Sequence, residues 1–155
     1  SEFKSLLLSM LKTAPDGIRR HRAIPYSRRG VKLSQLQDMN AAFVESAWLE
    51  TRCEEINRDN EVAIKNGTFI KQGINLYSLD LFVIRPATSP GGNTLPKDLK
   101  SRAKLPAATH HCSYSELVNP QGVSVDYFVS HWWGHPFPDT MQALRRWSQA
   151  SLANS

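Results

Sequence analysis

The side chains best suited to chemistry sit in the back half of this 155-residue chain. His110, His111, Cys112, His131 and His135 are all zinc-ligand types, and His131 and His135 have the H-x3-H spacing of many zinc sites. His110, Cys112, His131 and His135 would complete a tetrahedral set if the loop before Ser113 lies beside the run ending at Ser130. The usual paired-cysteine half of a structural zinc motif is absent. The alternative is that His131 and His135 hydrogen-bond the loop backbone while His110 and His111 face solvent. Zinc is therefore the one cofactor the sequence brings into view, and the expectation is that none is needed.

Cys112 beside His111, and Ser130 beside His131, supply nucleophile and base types. Sequence neighbours point to opposite sides of an extended backbone and seldom meet, and there is no G-x-S-x-G elbow. The glycine-rich loops that cradle phosphates are also missing. No residue is expected to be catalytic.

Charge is concentrated in one place. The chain carries +5 overall, yet no acid lies between Asp16 and Asp38, where Arg19, Arg20, Arg22, Arg28, Arg29 and Lys32 fall. Arg19, Arg20, Arg22, Arg28 and Arg29 are candidate polyanion contacts, so nucleic acid is a candidate partner. A solvated or locally ion-paired linker is the alternative, because no nucleic-acid-binding motif accompanies the run. Two cysteines are too few for a disulfide framework, which points to a reducing, cytoplasmic setting. No apolar run approaches the roughly 18 residues of a membrane span.

The densest aromatic stretch runs from Val125 to Pro138 and contains Tyr127, Phe128, Trp132, Trp133 and Phe137. Its alternating apolar residues predict a short buried strand over 123–129, a tight loop, and a helix opening at Pro138-Asp139. In this strand–loop–helix corner, Ser130, His131, Trp132, Trp133 and His135 are candidate ligand-binding residues. The other reading is core packing, with Tyr127, Phe128, Trp132, Trp133 and Phe137 clustered against Met141 and Leu144.

Other elements must hold that corner. Phe3, Leu6, Leu7, Met10 and Leu11 predict an amphipathic helix that stops near Pro15. Ser34 and Gln37 predict a capping box for a helix over about 35–57, with Leu36, Met39, Phe43, Ala47, Trp48, Cys53 and Ile56 on its apolar face. Asn66-Gly67 is a turn signal, residues 68–73 a short strand, and Asn75 the cap of a helix over 76–84. Residues 88–96 read as a loop, and Lys97 to Ala108 as adding little order. Ser113 and Glu116 form a second capping-box pattern, and Met141, Leu144 and Trp147 face inward on the closing helix.

The run Tyr127-Phe128-Val129-Ser130-His131-Trp132-Trp133-Gly134 resembles the first-strand motif of HET (heterokaryon incompatibility) domains and, more distantly, of TIR domains. Together with Cys112-Ser113-Tyr114-Ser115-Glu116-Leu117 it also resembles uncharacterised multi-domain proteins of dinoflagellates and other protists. The resemblance implies an α/β fold with a nucleotide-pocket loop after this strand, and it would put His131, Trp132 and Trp133 at the pocket's edge. About twenty residues follow Gly134. That is fewer than the remaining strands and the catalytic Glu of NAD-cleaving TIR enzymes need, so either the chain is the front part of a larger protein or the motif serves a different fold here.

The expectation from sequence is an α+β (mixed α/β), helix-rich domain over 33–155 with a few short strands, preceded by an N-terminal helix and basic linker over 1–32. Its expected function is a non-enzymatic binding or assembly domain whose partner is another protein or further domains of the same chain. The alternatives are a TIR/HET-like NAD hydrolase fragment and a nucleic-acid binder acting through the basic segment.

Overall fold

A computed structural model describes residues 24–91 and 94–153. The amphipathic helix expected around Leu6, and Arg19, Arg20 and Arg22 of the basic segment, lie outside the described residues.

The described chain is all-α, which corrects the expected α+β class. A 3-10 turn, Tyr26–Arg28, leads to α1 (Leu33–Met39), which widens into a π-helical turn at Asn40–Glu45. Helix α2 is Trp48–Asp59 and α3 is Glu61–Lys65. Helix α4 (Leu76–Leu79) widens at Asp80–Ile84 and tightens again as α5 (Arg85–Ala87). Helices α6 (Lys97–Arg102), α7 (Tyr114–Val118) and α8 (Phe137–Ala153) follow.

The core is built from residue pairs four apart, which share one helical face. Met39 and Phe43, Leu49 and Cys53, Leu79 with Val83 and Ala87, and Phe137 with Met141 are buried in a single cluster, which Leu95, ahead of α6, and Leu99 and Ala103 also join. Each large side chain removed from water contributes on the order of 1.5–3 kcal/mol, so this cluster is the main source of stability. Cys53 is a core residue, as expected, and burial pushes its thiol up.

Several local expectations change. Ser34 is not a cap, because α1 begins at Leu33 and Ser34 is exposed within its first turn. The Gln35 side chain instead accepts from the Lys32 backbone N–H at 2.9 Å. The single helix expected over 35–57 is two helices. The break is Ala47, in the left-handed region at φ 63°, with the Ser46 hydroxyl donating to the Ala42 carbonyl at 2.6 Å. Residues 68–73 are not a strand. The Asn57 amide pins this stretch, donating to the Gln72 carbonyl (2.8 Å) and accepting from its N–H (2.7 Å), and so does the work of a neighbouring strand. Residues 97–108 are more ordered than expected, because α6 inserts Leu99 into the core beside Leu95, Ala103 and Leu105.

Two expectations hold. The Asn75 side chain accepts from the Ser78 N–H (3.1 Å), and the Ser113 side chain accepts from the Glu116 N–H (3.2 Å). Tyr114 on α7 donates its hydroxyl to the Gln35 carbonyl (3.3 Å). Burial, with Asp38 nearby, pushes the phenol up to about 12, so it stays a donor.

The expected strand over 123–129 does not form. Among the described residues the only β-type pairing is a single parallel bridge between Arg29 and Val123. A strand needs a neighbour for its N–H and C=O groups, and among the described residues no backbone partner meets Asp126, Tyr127 or Val129. Gly30 and Gly122 flank the bridge. A Cβ on Gly30 would meet the Val123 carbonyl oxygen at 2.8 Å, and one on Gly122 the Ile24 side chain at 2.9 Å, so the two backbones approach this closely only because both positions are glycine. No helix of the described residues is long and apolar enough to cross a membrane.

Candidate functional site

Residues 124–132 lie outside any helix or strand, and all but His131 are exposed. Their start is anchored: Val123 N–H donates to the Arg28 carbonyl (2.8 Å), Gly30 N–H to the Val123 carbonyl (2.9 Å), and Val125 N–H to the Ser27 carbonyl (3.0 Å). Their end is anchored too. Leu76 N–H donates to the Trp133 carbonyl (3.1 Å), and Phe137 N–H donates to the Ile74 carbonyl (2.9 Å). Between these anchors no backbone hydrogen bond joins Asp126, Tyr127, Val129 or Ser130 to a described residue.

The expected burial of this run is therefore corrected. Trp132 is 72% exposed, Tyr127 67%, Phe128 62%, Val129 54% and Val125 45%. Phe137 and Met141 do join the core, but they do so without these rings. Tyr127 stands edge-on to Trp147 of α8, with ring centroids 4.6 Å apart. Trp132 folds over Gly134, where a Cβ would strike the indole at 2.5 Å. Trp133 turns inward and packs edge-on against Tyr77 at 5.5 Å. The two neighbouring tryptophans thus have different roles, one on the surface and one a partly buried anchor.

The histidines sit where the loop meets α8. The Thr140 hydroxyl is 3.3 Å from His131 Nδ1, and the His131 and His135 rings meet edge-on at 5.8 Å. Burial, and then the neighbouring His135, hold His131 below its ordinary value, so it is neutral at pH 7. His135 Nε2 is 4.0 Å from Asp139. His110 pairs with Thr109 at 3.1 Å, and His111 is exposed. Cys112 packs against the core with its N–H on the Thr88 carbonyl (3.2 Å), and burial, with Glu116 nearby, raises its thiol. Among the described residues no group of three or more His, Cys, Asp or Glu is placed to hold a metal, so the proposed set of His110, Cys112, His131 and His135 is not assembled. Ser130 is exposed and has no base in hydrogen-bond contact among the described residues.

Arg28 and Arg29 of the basic segment are engaged within the fold. Arg29 donates to the Ile24 carbonyl (2.7 Å), lies over the Tyr26 ring, and stands 3.6 Å from Glu116. Arg28 reaches the Gln121 and Gly122 carbonyls at 3.4 Å. Burial alone would raise the Glu116 carboxyl. Hydrogen bonds from Ser113 and the Arg29 charge outweigh it and hold that carboxyl below its ordinary value.

Sequence reasoning missed an open groove of about 370 Å³ at the start of α2, where Ser46, Trp48 and Thr51 face Pro96 and Asp98. It also missed the exposure of Val125, Tyr127, Phe128 and Val129, whose apolar alternation signals burial without saying what does the burying. Comparison with protein-family models, curated proteins and solved structures returned no match.

Proposed function

We propose that this chain is a non-enzymatic binding or assembly domain whose docking surface is the run 124–132. One observation carries this: a run with the composition of a buried strand lies on the outside, with Trp132, Tyr127 and Phe128 each more than 60% exposed. Three aromatic rings of ~150–250 Å² each, about two-thirds exposed, leave roughly 400 Å² of ring surface in water. That already matches the largest apolar patch of a typical monomer, at about 300–600 Å², and patches of this size mark interaction sites. A protein partner fits best, since the backbone groups of Asp126, Tyr127, Val129 and Ser130 have no backbone partner among the described residues and Asp126 is the one fixed charge on the run.

Site-specific photo-crosslinking tests this. A crosslinking residue at Val129 or Trp132 should capture a protein, whereas one at Val62, an equally exposed apolar residue on α3, should not. Trp132→Ala should leave the melting temperature nearly unchanged, within the ±0.5 kcal/mol or so of surface substitutions. Equal capture at all three positions, or unfolding of Trp132→Ala, would show that the run is not a docking surface. Incubation with NAD is expected to yield no cleavage product.

A further inference from the structure

We infer that residues 3–11 of the same chain cover this surface in cis and that a docking partner must displace them. This rests on the docking assignment above and names how the surface is regulated. Val125, Tyr127, Val129 and Trp132 of the run are exposed, and the Tyr127 ring continues the apolar face onto Trp147 of α8. Phe3, Leu6, Leu7, Met10 and Leu11 have the spacing of a helix that buries one face. A helix of about eleven residues is marginal in water by itself, so this stripe needs an apolar surface to pack on.

The place where the chain enters the fold selects this occupant. Ile24, the first described residue, packs on Gly122, where an added Cβ would lie 2.9 Å from its side chain. It thus stands beside the bridge at Val123, where the run begins. Twelve residues, Lys12 to Ala23, separate the stripe from Ile24. Extended, they reach roughly 40 Å, more than the ~30 Å of a nine-residue run. Pro15-Asp16-Gly17 within them is a turn sequence, which folds the stripe back toward its point of entry. Charge agrees with the placement. Lys12, Arg19, Arg20 and Arg22 outnumber Asp16 on the link, and the one fixed charge on the run is the exposed acid Asp126. A tethered segment meets the run at an effective concentration on the order of millimolar, well above that of a free second copy in dilute solution.

A photo-crosslinking residue in place of Val129, in the purified chain, should link within one molecule to residues 3–11, in a yield that dilution does not change. The same residue in place of Val62 should not. Leu7→Asp with Met10→Asp should cut that yield by about tenfold or more, because two carboxylates would have to leave water, while helical circular dichroism is kept. The double substitution should also raise the capture of protein from a cell extract through position 129. The first measurement leaves the stripe intact, so it decides the matter even where the doubly substituted chain fails to fold. Links between two chains that grow with concentration, links that miss residues 3–11, or a yield indifferent to the double substitution would each overturn the inference. A chain that gives no link to residues 3–11 yet captures a protein through position 129 rejects the cis cover and leaves the docking assignment intact. A link to residues 3–11 with no capture even by the folded, doubly substituted chain rejects the docking assignment, and the displacement with it.

Discussion

Ser113 and Ser34 begin the same four-residue pattern but have opposite consequences. The Ser113 side chain accepts from the Glu116 N–H, and the Glu116 carboxylate accepts from the Ser113 N–H (2.9 Å) and hydroxyl (2.9 Å). Ser113→Ala should therefore cost about 1 kcal/mol, while Ser34→Ala should change stability by less than about 0.5 kcal/mol. Denaturant melts of the two variants check the contrast, and equal losses would contradict the assigned start of α1. Glu116 also gives the fold an acid limit. Its carboxyl titrates below the ordinary 4.5, so the charged form is favoured by folding. The stability this supplies is fully present above pH 4.5 and is lost as pH falls through the lower, folded value. Glu116→Gln should lower the melting temperature at neutral pH and flatten its decline below pH 4.5. A decline as steep as that of the parent chain would mean that other carboxylates set the acid limit.

At the scale of elements, the sequence shows where a helix is more readily than where it breaks. Leu36, Met39 and Phe43, then Trp48, Cys53 and Ile56, keep helical spacing on both sides of Ala47, so nothing in the pattern marks the turn. The break is made by backbone geometry: alanine at φ 63° closes the π-helical turn and redirects α2. A left-handed alanine is strained by roughly 1–2 kcal/mol, so Ala47→Gly should stabilise the protein, by up to about 1 kcal/mol after the entropy of the added glycine is counted. A lower melting temperature for Ala47→Gly would mean that the Ala47 methyl packs more than it strains. The caps at Asn75 and Ser113 were readable because capping is local chemistry between residues three apart. The strand over 123–129 was not, because a strand is completed by residues far along the chain or by another chain. The same dependence makes the metal set unreadable: H-x3-H fixes the spacing of His131 and His135 but cannot bring His110 and Cys112 to them.

At the scale of the molecule, the apolar stripes were a sound guide to the core and a poor guide to class. Met39, Phe43, Cys53 and Met141 are buried as their spacing predicts, whereas Ala47 is exposed, and the fold contains no sheet among its described residues. The aromatic run explains both outcomes, since it has the composition of an interior strand and the position of a surface. The contacts of Arg28 with Gly122 join residues 94 apart, and the bridge between Arg29 and Val123 lies beside them. Closing a loop of that length costs roughly 4 kcal/mol in chain entropy, which a few backbone bonds cannot offset on their own. The helices between must therefore pack first and bring the ends together, so the seam closes late in folding and opens early in unfolding. In native-state hydrogen exchange the amides of Gly30, Val123 and Val125 should exchange as one group, before those of α2, and their release would free the aromatic run from its anchor without melting the helical core.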